Sequence, residues 1–143
     1  MRYVGYYLSE GYSVYNESTR QYKVSISQSP VVNAGICDEI DDLMPDLGID
    51  YSRYEWFGHN SYDKKIPSFI KNMSPSNLMI LIEAFNNGDA SKYQYKTTNA
   101  VHIGTTSEQL ADDLLEILFK CGCLLLKASM AKKGLISIWF IVT

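Results

Sequence analysis

The chain has 143 residues, 46% of them hydrophobic, and a net charge of −3. That size supports one globular domain, or two small lobes sharing a core. The short, interrupted apolar runs exclude a membrane-spanning helix, and the acidic balance excludes a general basic field for nucleic acid.

Residues 1–9 (MRYVGYYLS) read as the end of an apolar helix that stops at Glu10-Gly11, with no signal-peptide pattern. GYSVYNESTRQYKVSISQS then alternates over 12–16 and 21–28 about a polar turn, which predicts a β-hairpin. In 31–47, Ile36, Ile40, Leu43 and Leu47 recur at helical spacing, with Pro45 expected to break the last turn. Residues 50–57 and 64–70 predict a second strand pair, or a strand and turn, around loop signals at Gly58, Asn60 and Asp63.

The order then restarts. Ser74 and Pro75 open a helix over 75–87 that runs into Gly88-Asp89. KYQYKTT and AVHIGTT predict a hairpin, and SEQLADDLLEILFKCG a helix capped by Ser107. CLLLKASM and LISIWFIVT close the chain as two strands about Ala131-Lys132-Lys133-Gly134. The expected fold is α+β: one domain over 1–143, made of two α-ββ-α-ββ repeats, 1–73 and 74–143. A unit that small is marginal alone, so the halves are expected to pack on one another.

Composition narrows the chemistry further. Three cysteines cannot all pair, which fits a reducing, intracellular setting. Cys121-Gly122-Cys123, with two scattered histidines and no second thiol pair, does not make a zinc site. The acids are more informative. Set in register, YVGYYLSEG (3–11) and IEAFNNGDA (82–90) match Gly5 with Ala84, Ser9 with Gly88, and Glu10 with Asp89. Small residues four apart share one helix face and let two backbones approach closely. Helices joined through those faces end side by side, each with a carboxylate where the helix dipole already repels anions. Only a cation makes that pairing sensible. Hard oxygen ligands select Mg2+, or a similar divalent ion such as Mn2+.

These two stretches resemble the paired motifs of the LAGLIDADG homing endonucleases, specifically the two-repeat single-chain kind found in inteins. Two flanking segments extend the likeness. KKIPSFIKNM resembles the intein-endonuclease segment in which a lysine precedes Ile-Pro-Ser-Phe, and TTSEQLADDLLEILFKCG resembles the strand-to-helix segment after the second hairpin. Glu10 stands where the motif has aspartate, and Ala90 where glycine usually follows the acid. No splicing blocks are evident, so an intein connection implies the endonuclease insert alone.

The resemblance implies sequence-directed cleavage of double-stranded DNA by a monomer with internal pseudo-twofold symmetry. Two antiparallel sheets would form a saddle on the major groove. Glu10 and Asp89 would hold the divalent ions at the scissile phosphates. A basic residue in each half would assist: Lys64 by the Lys-x-Ile-Pro segment, and Lys133 or Lys132 by repeat symmetry.

Arg20, Lys23, Arg53, Lys92, Gln94 and Lys96, interleaved with tyrosines, are the expected DNA contacts. Strand alternation puts Lys92, Gln94 and Lys96 on one face and Tyr93 and Tyr95 on the other. Two function classes follow. One is an active endonuclease. The other is a cleavage-deficient nucleic-acid-binding module of the same fold, acting as a DNA-binding regulator or an RNA maturase.

Overall fold

The computed structural model describes residues 1–46, 56–88, 100–131 and 134–142. Helix α1 (Arg2–Glu10) leads into the antiparallel pair β1 (Gly11–Asn16) and β2 (Gln21–Ile26), in register from Gly11 opposite Ile26 to Asn16 opposite Gln21. The turn forms because Asn16 Oδ1 accepts from both Ser18 and Thr19 N–H, and Arg20 closes it at φ 54°. Helix α2 (Ala34–Asp46) follows. Asn33 starts it, its carbonyl accepting from Cys37 N–H, while Val31 and Val32 stay exposed in the preceding turn. Pro45 lies within the helix as described and does not stop it before Asp46. Leu47 is outside the described residues.

A short helix α3 (Ser68–Lys71) precedes the long α4 (Pro75–Gly88). Ser74 Oγ accepts Asn77 N–H at the start of α4, with Pro75 at the first helical position, where no donor is required. Strand β3 (Ala100–Thr105), helix α5 (Glu108–Lys120), β4 (Leu124–Met130) and β5 (Ile136–Ile141) complete the chain. Ser107 caps α5 by accepting Leu110 N–H at 3.1 Å. The sheet order is β3-β5-β4, antiparallel throughout, with a bulge between Leu125 and Lys127. The fold is therefore α+β with two small antiparallel sheets.

The main core lies between α4, α5 and the inner face of the three-stranded sheet. Leu78, Leu81, Ile82 and Phe85 of α4 meet Leu110, Leu114 and Ile117 of α5 and the alternate strand residues Ile138 and Phe140. Helix α1 joins this core through Leu8. Its other buried faces build two smaller clusters: Tyr3 and Tyr7 with Val24, Ile26, Leu43 and Phe57, and Tyr6 with Ile40 and Ala84. No described helix is long and apolar enough to cross a membrane, and all three cysteines are free thiols.

Of the two alternatives expected for 50–57 and 64–70, the strand pair is overturned, while 50–55 lie outside the described residues. Residues 64–70 are not a strand, and Trp56 and Phe57, the described end of the expected partner 50–57, lie in a turn. Residues 64–67 form an irregular strap, and α3 takes over at Ser68. The cause is where the polar backbone finds its partners. Lys65 N–H donates to Phe57 O, Ile66 N–H to the Asp113 carboxylate, and Lys64 O accepts from Ser107 Oγ. Pro67 has no N–H to give. With its backbone groups already satisfied, the strap needs no partner strand.

Candidate active site

The contact between α1 and α4 is as close as the small residues suggest. A methyl group at Gly5 would lie 2.6 Å from Ala84 Cβ and 2.6 Å from Leu81 O, and one at Gly88 would overlap Ser9 Oγ. Only small side chains at these positions allow the two backbones to touch. The ends of both helices are then tied to consecutive residues after β2. Ser27 N–H donates to Glu10 O at 3.1 Å, and Gln28 Nε2 donates to Gly88 O at 2.9 Å. Gln28 is itself oriented by Asn33 Nδ2, which donates to its Oε1 at 2.9 Å. The two helix ends are thus held by adjacent residues, α1 by the backbone of Ser27 and α4 by the side chain of Gln28. Glu10 stands half-buried at this point. Asp89, the residue after Gly88, lies outside the described residues.

Lys64 reaches the same region from the strap. Its side chain is 3% exposed, and its ammonium lies 5.7 Å from the centroid of the Tyr7 ring, within cation–π range. Burial pushes the Lys64 ammonium down to about 8, against the opposing pull of the Glu10 and Asp63 carboxylates. A lysine and a carboxylate from sequence-distant segments therefore sit within electrostatic reach at the end of α1.

Further contacts fix the strap. Ser107 Oγ donates to Lys64 O at 2.6 Å while accepting from Leu110 N–H, so the cap of α5 also holds the lysine. Asp113, 2% exposed, accepts from Ile66 N–H at 2.8 Å, Lys71 Nζ at 3.0 Å and Gln109 Nε2 at 3.0 Å. KKIPSFIKNM and TTSEQLADDLLEILFKCG, the two flanking segments singled out in the sequence, are thus bonded to one another.

No family model and no curated protein matches this chain.

The remaining expected residues divide cleanly. Arg20 and Lys23 are exposed on the β1–β2 hairpin, and Lys23 is opposite Val14 on the outward face that also carries Tyr12. Arg53, Lys92, Gln94, Lys96, Lys132 and Lys133 lie outside the described residues, as does the expected strand KYQYKTT. Among the described residues no three His, Cys, Asp or Glu side chains cluster as a metal site. The oxygen donor of Glu10 suits a hard divalent cation, and its expected partner is Asp89.

Sequence reasoning missed Gln28, Tyr7 and Asp113. Asp113 carried a signal: an acid on the α5 stripe of Leu110, Leu114 and Ile117 needs buried donors to face it. Gln28 carried none, because its partner Gly88 is far away in the chain.

Proposed function

We propose that this chain is a site-specific double-stranded DNA endonuclease of the two-repeat LAGLIDADG kind, dependent on Mg2+ or Mn2+ and related to intein endonuclease domains. The observation that carries the reading is the meeting of the α1 and α4 C-termini at Ser27 and Gln28, with the buried Lys64 within electrostatic reach of Glu10. In this reading the two halves, 1–73 and 74–143, are related by a pseudo-dyad between α1 and α4, the first half lacking the strand expected at 64–70. The two sheets form the saddle over the major groove, and a monomer suffices.

Glu10 and Asp89 are the residues that would hold the cation. A divalent ion bound by them would supply Lewis-acid chemistry for phosphodiester hydrolysis. Lys64 remains mostly protonated at neutral pH, since its value near 8 lies above 7, and it offsets phosphate charge in the transition state. Lys133 or Lys132 takes the corresponding role in the second half. Arg20 and Lys23, with Arg53, Lys92, Gln94 and Lys96, contact the DNA, the lysines and arginines supplying phosphate affinity.

Supercoiled plasmid carrying the uninterrupted insertion site of the host gene tests this reading, because nicked and linear products separate on one gel. Wild-type protein in Mg2+ is expected to cut it. Glu10→Gln is expected to stop cutting and keep binding, while Lys23→Ala weakens binding and lowers its salt slope by about one. Wild-type protein that binds the site in Mg2+ and never nicks it would overturn the endonuclease reading in favour of the cleavage-deficient binding module.

A further inference from the structure

Residues 58–63 form a compact loop that delivers Lys64, and a chain of side-chain hydrogen bonds fastens this loop to α1 and β1. Tyr7 Oη lies 2.6 Å from Gly58 O and 3.0 Å from Ser13 Oγ, and Ser13 Oγ lies 2.7 Å from His59 Nδ1. Tyr7 and Ser13 are 1% and 4% exposed, so these bonds are made away from water. The protons can be assigned by counting. A carbonyl only accepts, so the single hydroxyl proton of Tyr7 goes to Gly58 O. Ser13 then donates to Tyr7 Oη, and its oxygen is left to accept. His59 Nδ1 must therefore carry a proton and donate it to Ser13.

The loop is built around this bond. His59 O accepts Ser13 N–H at 2.9 Å, and Asp63 Oδ1 accepts both His59 N–H and Asn60 N–H, at 2.9 and 2.7 Å. Gly58, at φ 82°, leaves no room for a side chain against Asp63 and Lys64. The same Tyr7 whose hydroxyl ends this chain lies beneath the Lys64 ammonium.

We infer that His59 is a positioning residue for Lys64, acting through Ser13 and Tyr7 to hold the lysine loop closed. Its consequence for catalysis rests on the endonuclease reading, but its effect on the loop does not. The test therefore has two arms. In the first, without DNA, the reductive methylation rate of Lys64 is followed by mass spectrometry, with circular dichroism confirming the fold of each variant. His59→Ala is expected to raise that rate about tenfold, the change in loop opening that loss of one hydrogen bond produces. His59→Asn puts an amide donor where Nδ1 was and is expected to restore protection. His59→Gln puts its amide one methylene further out and is expected to fail as alanine does. Equal protection in all four proteins, or equal behaviour of the Asn and Gln variants, overturns the inference.

The second arm measures nicking of the target plasmid. His59→Ala is expected to lower kcat with little change in KM, and His59→Asn to recover it. A large rise in KM with kcat unchanged would make His59 a DNA contact and overturn its positioning role. Wild-type protein that fails to nick counts against the endonuclease reading alone, because the methylation arm stands without it.

Discussion

Lys64 shows how far a single residue departs from ordinary behaviour in this fold. A lysine exposed to water titrates near 10.4; here burial brings the value down to about 8. Below pH 8 the folded protein carries the full cost of a buried charge. Between pH 8 and 10.5 the unfolded chain keeps a proton that the folded one has lost, so stability rises with pH across that window. The shift corresponds to about 3 kcal/mol. Lys64→Met, similar in length and without the charge, is therefore expected to be more stable than wild type at pH 7 by up to about 3 kcal/mol. The difference should shrink as pH approaches 9.5. Urea unfolding of both proteins at several pH values measures it, and the same variant should cut DNA poorly. A gain in stability with a loss of activity is what a charge kept for function predicts.

At the scale of elements, the α1–α4 contact distinguishes two glycines that look alike in sequence. A methyl at Gly5 meets backbone, at 2.6 Å from Leu81 O and 2.8 Å from Phe85 N, so the helices must separate to admit it. Alanine favours a helix over glycine by about 1 kcal/mol, but overpacking costs about 1–3 kcal/mol. Gly5→Ala is therefore expected to destabilise by about 2 kcal/mol net, the cost lying near the upper end because backbone cannot move aside. At Gly88 the obstruction is the hydroxyl of Ser9, the end of a short side chain that can rotate away at the loss of its bond to Tyr6 O. Gly88→Ala is expected to cost less than about 1 kcal/mol. Denaturant midpoints of the two variants should differ in that order; equal midpoints would show that the contact is looser than its geometry.

For the whole molecule, the proposed cation site joins the two halves at the ends of α1 and α4. A ligand that binds only the folded state raises stability according to its concentration over its dissociation constant, about 2.7 kcal/mol at a hundredfold excess. Thermal melts in Mg2+, Mn2+ or Ca2+ are expected to rise for wild type and much less for Asp89→Asn. The same rise in both proteins would mean that the two acids do not share an ion. Contacts between the halves do not depend on this site alone. Gln28 reaches Gly88, and Ser107 and Asp113 reach back to the strap.

What the sequence determined by itself was local or periodic. The Ser74 and Ser107 caps, the helix expected over 75–87, the hairpin expected from the runs 12–16 and 21–28, and the closing strands follow from bonds within a few residues and from apolar spacing. The small faces at Gly5 and Ala84 were legible because the same pattern occurs twice. Tertiary structure alone decided the rest. Residues 64–70 read as a strand because their composition suits one, yet the backbone of the strap is held by Phe57 and, decisively, by Asp113 and Ser107, which lie well away in the chain. The burial that depresses Lys64, the clamp of Gln28 on α4 and the His59–Ser13–Tyr7 chain have the same origin. Each depends on a donor, acceptor or apolar wall supplied by a distant segment, and no window of sequence contains both partners.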